Sequence, residues 1–319
     1  MPTKARPSYR HAIIATSQHL TTSRIGIDLG GTKIEAIALD KSGAVLARER
    51  VPTPPGYHET VRAIEQLVRG IESKLNITGT VGIGIPGVVT PHTGLVKNAN
   101  STWLIGKPLQ ADLEMELARP IRVMNDANCF ALSEAADGAA SGASSVFGVI
   151  LGTGVGGGIV IDGKVLDGVN LIAGEWGHNP LPWMREDEFP GPECYCGKKG
   201  CIEMFVSGPG FEREYAERSG GRLAAKDIVQ AAQNGDPIAI AELTTYHDRL
   251  ARALSSVINL LDPQVIVLGG GMSNTAGLAA AVTNLLPKYV FSDTVETRVV
   301  GNKHGDSSGV RGAAWLWPS

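Results

Sequence analysis

The stretch Arg24-Ile-Gly-Ile-Asp28-Leu-Gly30-Gly31-Thr32-Lys33-Ile-Glu-Ala-Ile-Ala-Leu39 decides how the chain is read. An apolar strand from Ile25 to Leu29 breaks into a Gly-Gly-Thr turn, Ile34 to Leu39 returns as a second strand, and Lys41-Ser-Gly43 turns the chain again. The plan recurs further on. Val146 to Leu151 enters Gly152-Thr-Gly-Val-Gly-Gly-Gly158, then come the Ile159 to Ile161 strand, an Asp162-Gly163-Lys164 turn and Val165-Leu166. A plan that returns in this way is the mark of an internal duplication.

Between the copies, Val61, Ile64, Leu67, Val68, Ile71 and Leu75 recur at helical spacing within 58–76, and Val81 to Gly87 reads as a buried strand ending in a loop. Residues 109–119 and 128–140 are further helix candidates. A long helix from Pro237 to Leu261 stops before Asp262-Pro263, and Val265 to Leu268 runs into Gly269-Gly270-Gly271. Strands alternating with helices make the class α/β, and the repeat predicts two similar domains facing a cleft.

Of 319 residues, 40 are glycine, well above the usual ~7%, yet they follow apolar runs in short clusters with no collagen period. A net charge of -3 and 5% aromatics leave no electrostatic footprint for nucleic acid. The uncharged stretch Gly138 to Ile161 is long enough for a membrane span, but eight of its residues are glycine, so no membrane helix is expected. Residues 1–23 carry Lys4, Arg6 and Arg10 and only the short apolar run Ala12 to Ala15, too little for a secretory signal. A disordered extension on a cytoplasmic protein is the expectation, with a weak likeness to an organelle transit peptide.

Glycine after a strand permits positive φ and lets backbone N–H groups approach an anion, so two such turns would hold a polyphosphate between them. The plain alternative for each is a tight hairpin. Gly152-Thr-Gly154-Val-Gly156-Gly157 also fits the dinucleotide pattern G-x-G-x-x-G, but that pattern must open a helix and here a strand follows. Neither a P-loop nor a protein-kinase catalytic loop is present in the sequence.

Three of the four cysteines lie in Cys194-Tyr-Cys196-Gly-Lys-Lys-Gly-Cys201, with His178 upstream, a set suited to tetrahedral zinc. Disulfides are the rival, though one intervening residue strains a Cys194–Cys196 bridge and a third thiol stays unpaired. Four protein ligands make a closed, structural site. Cys129 reads as a small buried residue. Glu175 and Glu203 flank the cluster, either as surface charges or as groups the metal would fix in place. In Asn125-Asp126-Ala127-Asn128 an acid stands between two amides before a helix: as an N-cap, as a general base for a substrate hydroxyl, or as both. Asn98, Asn100 and Ser101 form another polar group, whose plain reading is loop chemistry.

Taken together, Asp28-Leu-Gly-Gly-Thr-Lys33, Gly84-Ile-Pro-Gly87, Asn125 to Asn128, Gly152 to Gly157, Glu175-Trp-Gly-His178 and Cys194-x-Cys-Gly-x-x-Gly-Cys-x-Glu203 resemble the ROK family of bacterial sugar kinases, over residues 24–318. The resemblance implies the duplicated actin-like ATPase (ribonuclease H-like) fold, with a first domain over 24–142, a second over 143–302 that carries a zinc-binding insertion at 178–203, and a C-terminal helix in 303–319 packing back on the first. It implies ATP, Mg²⁺, a structural zinc and, in many members, homodimers. Lys97 to Leu104, His178 to Met184 and His304 to Trp317 most resemble the fructokinase/mannokinase branch, while the N-acetylglucosamine kinases share Asn125 to Ala135 and the glycine turns. The expected reaction is thus phosphorylation of fructose, and also mannose, at the 6-hydroxyl, with N-acetylglucosamine kinase or glucokinase as the alternative.

By the same resemblance, Asp126 is the base. Gly30, Gly31, Thr32 and Lys33 cradle the phosphates, and Asp28 holds Mg²⁺ through water. Thr153, Gly154, Gly156 and Gly157 close on the nucleotide, with Gly269, Gly270 and Gly271 near the nucleoside. Gly87, Asn100, Asn125, Glu175, His178 and Glu203 join Asp126 around the sugar, and His178, Cys194, Cys196 and Cys201 hold the metal. The family also holds sugar-responsive repressors, disfavoured here because residues 1–23 contain two prolines and no amphipathic helix pair. A chaperone-type ATPase would need a further substrate-binding domain.

Overall fold

The computed structural model describes residues 23–98 and 101–317; the expected extension falls at 1–22, outside the described residues. The first half runs β1 (Arg24–Leu29), β2 (Lys33–Leu39), β3 (Val45–Pro52), α1 (Tyr57–Leu75), β4 (Thr80–Ile85), β5 (Val88–Val89), β6 (Val96–Lys97), α2 (Leu109–Leu117), β7 (Ile121–Asn125) and α3 (Asp126–Ala136). The second runs β8 (Ser145–Leu151), β9 (Val155–Ile161), β10 (Lys164–Val165), α4 (Glu203–Val206), α5 (Gly208–Ser219), α6 (Ala225–Gln233), α7 (Pro237–Leu261), β11 (Val265–Gly269), α8 (Leu278–Leu285), β12 (Arg298–Gly301) and α9 (Ser308–Trp315).

The duplication is written in the sheets. One has the order β3-β2-β1-β4-β7, the other β10-β9-β8-β11-β12. In each, the leading strand pairs antiparallel with its hairpin partner and parallel with the strand that follows a helix. Local chemistry sets the elements. The helix α1 buries Val61, Ile64, Leu67, Val68 and Ile71 along one face and ends at Asn76, which takes the left-handed conformation at φ 51°. The helix α7 starts at Asp236, whose side chain accepts from Ala239 N at 2.7 Å, has Pro237 in its first turn, and ends at Asp262 before Pro263.

Two helices are exchanged between the sheets. Leaving β7 of the first sheet, α3 packs on β8 and β9 of the second; leaving β12, α9 packs on β1 and β4 of the first. Both crossings depend on glycine. A methyl group on Gly158 would come within 2.6 Å of Ala127 O, and one on Gly148 within 2.7 Å of the Ala131 Cβ. At the other crossing, methyls on Gly26 and Gly82 would run into the backbone oxygens of Val310 and Ala313. The two helices meet where Gly312 lies against the Cys129 carbonyl.

Here the structure corrects the reading of the glycines. Gly156, Gly157 and Gly158 belong to β9, which begins at Val155, and not to a turn. Positive φ is used at Gly270, at 81°, but at none of Gly30, Gly31, Gly152, Gly154, Gly156 or Gly157. The strand is glycine-rich because a helix must approach it closely. Among the described residues no helix is long and apolar enough to cross a membrane.

Candidate active site

Three cavities adjoin one another, the first lined by the second half alone and the other two by both halves. The first, of 590 Å³, is lined by Gly152, Thr153, Gly208, Glu212, Lys226, Gln230, Gly271, Asn274 and their neighbours. The second, of 480 Å³, is lined by Gly87, Asn98, Asn125, Asp126, Thr153, Gly154, Gly156, Gly157, Glu175, His178, Tyr195 and Glu203, among others. A smaller one of 190 Å³ lies between Asp28, Asp126, Gly270, Ser273, Asn302, Asp306 and Gly309. Gly152 and Thr153 are common to the first two, Asp126 and Ile150 to the second and third, and Asn274 to the first and third.

The strand β7 delivers Asn125 and Asp126 to this junction. Asn125 is the N-cap of α3, its side-chain oxygen accepting from Ala127 N at 2.9 Å and Asn128 N at 3.3 Å. The helix starts at Asp126, two residues before the predicted 128, so the cap and the acid are neighbours and not one residue. An Asp126 carboxylate oxygen also accepts from Ala127 N at 2.8 Å. Burial outweighs these helix-end hydrogen bonds and, with Glu175 adding repulsion, pushes the carboxyl up to about 6. Asp28, at the end of β1, is likewise raised to about 6, first by burial and then by the charges of Asp126 and Glu35, against the pull of Lys33 and Arg50. Two carboxyls that resist ionisation facing one small cavity are a donor set that a bound divalent cation would satisfy.

The opposite half supplies the remaining wall. Glu203, buried at the start of α4, accepts from Val155 N at 2.9 Å, and a methyl on Gly154 would press to 2.7 Å from the same carboxylate. Trp176 donates its indole N–H to Gly156 O at 3.0 Å, and Gly174, at φ 96°, abuts Gly157. These contacts fix the short turn that carries Glu175 and His178. His178 Nδ1 lies 3.6 Å from Cys194 Sγ, Cys196 Sγ lies 3.6 Å from Cys201 Sγ, and all four ligand atoms fall within 4.8 Å of one another. A tetrahedron with Zn–S bonds of 2.3 Å has edges of about 3.8 Å. The four residues therefore fit zinc, and the cysteines are free thiols and not disulfides.

The family model of the ROK family matches residues 24–319. The chain belongs to the ROK family. An N-acetyl-D-glucosamine kinase of Vibrio cholerae is 44% identical over 296 residues, covering 91% of this chain and 98% of that protein. A ROK hexokinase from Thermus thermophilus superposes with a TM-score of 0.82 at 30% identity, covering 92% of this chain and 97% of the other. A ROK family glucokinase from Streptomyces griseus, solved with glucose and AMPPNP, gives 0.74 at 30% identity, covering 92% and 98%. The protein is thus a ROK sugar kinase with the duplicated actin-like ATPase fold.

Within this ROK chain the structure gathers Gly87, Asn125, Asp126, Glu175, His178 and Glu203 around one cavity. It also puts Gly154, Gly156 and Gly157 in that cavity's wall, although a nucleotide-facing position was expected of them; of that turn, Gly152 and Thr153 reach the 590 Å³ cavity. Gly271 lines the large cavity and Gly270 the small one. A methyl on Gly269 would run into the Phe130 ring, so its glycine serves packing. The Gly30-Gly31-Thr32-Lys33 turn is outside the three cavities, closed by Gly30 N donating to Lys33 O at 3.0 Å. Asn100 lies outside the described residues. Unassigned in the sequence were Lys226, Gln230 and Asn274, polar residues with no motif to single them out, and Tyr195 and Asp306, which stand within the cysteine segment and the His304 to Trp317 stretch without a role; Asn98, at φ 55°, reads in the sequence as loop chemistry.

Proposed function

We propose that the chain transfers the γ-phosphoryl group of ATP to the 6-hydroxyl of a hexose, and that the hexose is N-acetyl-D-glucosamine. One observation carries the reaction: among the described titratable residues, Asp126 alone lines both the 480 Å³ cavity and the small cavity it shares with Asp28. A hydroxyl bound in the first would meet its base at the boundary with the second. For the acceptor, support comes from the V. cholerae relative, whose name carries the acetylated sugar and not fructose. The acceptor reading moves from fructose to that sugar accordingly.

In this reading Asp126 orients the 6-hydroxyl and takes its proton. A carboxyl raised to about 6 is ionised at neutral pH yet more basic than an ordinary aspartate, as a general base should be. Asp28 would hold Mg²⁺ through water, and the ion when bound supplies neutralisation of phosphate charge. The Gly30 to Lys33 turn, which lies outside the three cavities, would cradle the phosphates when ATP is bound, Thr153 would close on them from the other half, and Gly271 would border the nucleoside in the 590 Å³ cavity. Asn100, Asn125, Glu175, His178 and Glu203 hold the sugar, with the Gly87, Gly154, Gly156 and Gly157 backbones beside it. A wrong sugar would leave some of these buried groups unpaired, which is the source of discrimination. Zinc on His178, Cys194, Cys196 and Cys201 would be closed and structural. The two units are residues 24–142 with 303–319, and residues 143–302.

The test is ADP release with ATP and Mg²⁺ and, in parallel, N-acetylglucosamine, glucose, mannose and fructose. The highest kcat/KM is expected with N-acetylglucosamine, and the highest with fructose would restore the ketose reading. Release with none would remove the kinase reading.

A further inference from the structure

Glu134 lies about two turns along α3 from Asp126 and is completely buried, with no lysine, arginine or histidine side chain paired to it among the described residues. Four donors hold its carboxylate instead. Oε2 accepts from Ala139 N at 2.8 Å and from Lys303 N at 3.1 Å, and Oε1 accepts from His304 N at 3.3 Å and from the Ser308 hydroxyl at 2.8 Å. An ionised carboxylate offers about four acceptor positions, and all are taken. The chain keeps room for the group: a methyl on Gly138 would run into the same carboxylate.

The donors come from both places where the chain crosses between the halves. Ala139 belongs to the connection from α3 to β8, Lys303 and His304 to the connection from β12 to α9, and Ser308 to the first position of α9. Asp137, which caps the end of α3, takes side chains of the same loop: His304 Nε2 lies 2.9 Å from its Oδ1, and Lys303 Nζ donates to its carbonyl at 3.0 Å. Glu134 takes the loop's backbone. A long side chain can change rotamer under its bond, whereas two main-chain N–H groups on one buried anion set the path of the chain itself.

That path shapes the small cavity. Asn302, Gly305, Asp306, Ser308 and Gly309 line it together with Asp28 and Asp126, and a methyl on Gly309 would stand 3.5 Å from Asp28 Oδ2. None of residues 302–309 lines the 480 Å³ or the 590 Å³ cavity. One end of α3 therefore carries the base, and the other anchors the loop that walls the cavity the base shares with Asp28. A buried charge is a costly way to hold a turn, because apolar packing stabilises as well or better. What the charge adds is a single arrangement of three chain segments.

We propose that Glu134 is a positioning residue for phosphoryl transfer, its carboxylate fixing the 302–309 loop against Asp28 and Asp126. The proposal rests on the reaction proposed above. Glu134→Gln keeps the shape of the side chain and turns an NH₂ group toward two of the four donors. With N-acetylglucosamine as acceptor, kcat should fall about tenfold to a hundredfold, the reach of a displacement of about 1 Å, while the Kd of that sugar without nucleotide, measured by tryptophan fluorescence, stays within about twofold. A merely structural role gives a different result, because a loosened fold weakens sugar binding along with turnover.

An unchanged kcat, or a sugar Kd that rises as much as kcat falls, overturns the proposal. The unaltered protein supplies a test that holds even where the variant does not fold. In hydrogen exchange its Lys303 and His304 amides should exchange about 100-fold slower than those of an open loop, and open-loop rates there would overturn the proposal. Failure of the unaltered protein to phosphorylate any hexose strikes the reaction itself, an outcome separate from a normal kcat in the variant.

Discussion

Asp126 is held where chemistry wants it at a cost to the fold. Its carboxyl is raised to about 6, so the native state binds that proton more tightly than the unfolded chain does. Stability from this group therefore falls as pH rises from about 4 to about 6, and the full cost of the buried charge is present above that range. Asp126→Asn keeps an oxygen to accept from Ala127 N and removes the charge. The variant should melt above the unaltered protein at pH 8, with the gap closing toward pH 4 in thermal scans. Turnover should drop about 10²- to 10⁴-fold, the usual worth of a general base. In the unaltered enzyme kcat/KM should fall as pH drops through about 6, or lower where a cation beside Asp28 pulls the carboxyl down, and this limb should vanish in the variant. A variant that melts lower at pH 8 and keeps near-normal turnover would remove both roles. Asp126 was legible because two amides flank it; Lys226, Gln230 and Asn274 were not, because they come together only when α6 and the turn after β11 pack around one cavity.

At the scale of the element, glycine placement shows where sequence reading succeeds and where it stops. Both glycine clusters follow strands, which is why the duplicated hairpins could be found, but only the second lines the cavities. Their use differs from the expectation, because a glycine required by an approaching helix and a glycine required by an anion look alike in a sequence. Gly148, Gly156 and Gly158 make room for α3, and Gly26 and Gly82 make room for α9. No local pattern in β1 or β4 announces a helix from the far end of the chain. The consequence is sharp at Gly82, where an added methyl meets the Ala313 carbonyl in a packed backbone contact that no side-chain rotation relieves. Gly82→Ala should cost about 1–3 kcal/mol or more, by overpacking. Gly70→Ala, with nothing within 4 Å of the added methyl and a position inside α1, should be neutral or stabilising. Denaturant midpoints for the pair check this, and equal midpoints would show that the crossing tolerates a wider spacing.

For the whole molecule, two similar sheets exchange a helix each, and the exchange creates a junction at which no single unit owns the site. Asp28 and Asn125 come from one half, and Thr153, Glu175 and Glu203 from the other. The cysteine segment belongs to the second half and touches one branch of the recess only. His178, Tyr195 and Glu203 line the 480 Å³ cavity, while none of the residues around the 590 Å³ cavity comes from the segment 178–203. Glu203 stands two residues after Cys201, and its bond to Val155 N ties the segment to the β8–β9 turn. Metal loss should therefore act on one substrate and spare the other. Cys196→Ser, or treatment with a chelator, is expected to remove about one zinc per chain and raise KM for the sugar at least several-fold, with KM for ATP nearly unchanged. Metal content and two-substrate kinetics on the same preparation decide it. A parallel rise in both constants would mean that the segment supports the whole second half, and full activity without metal would mean that the hydrogen bonds of Trp176 and Glu203 hold the wall by themselves.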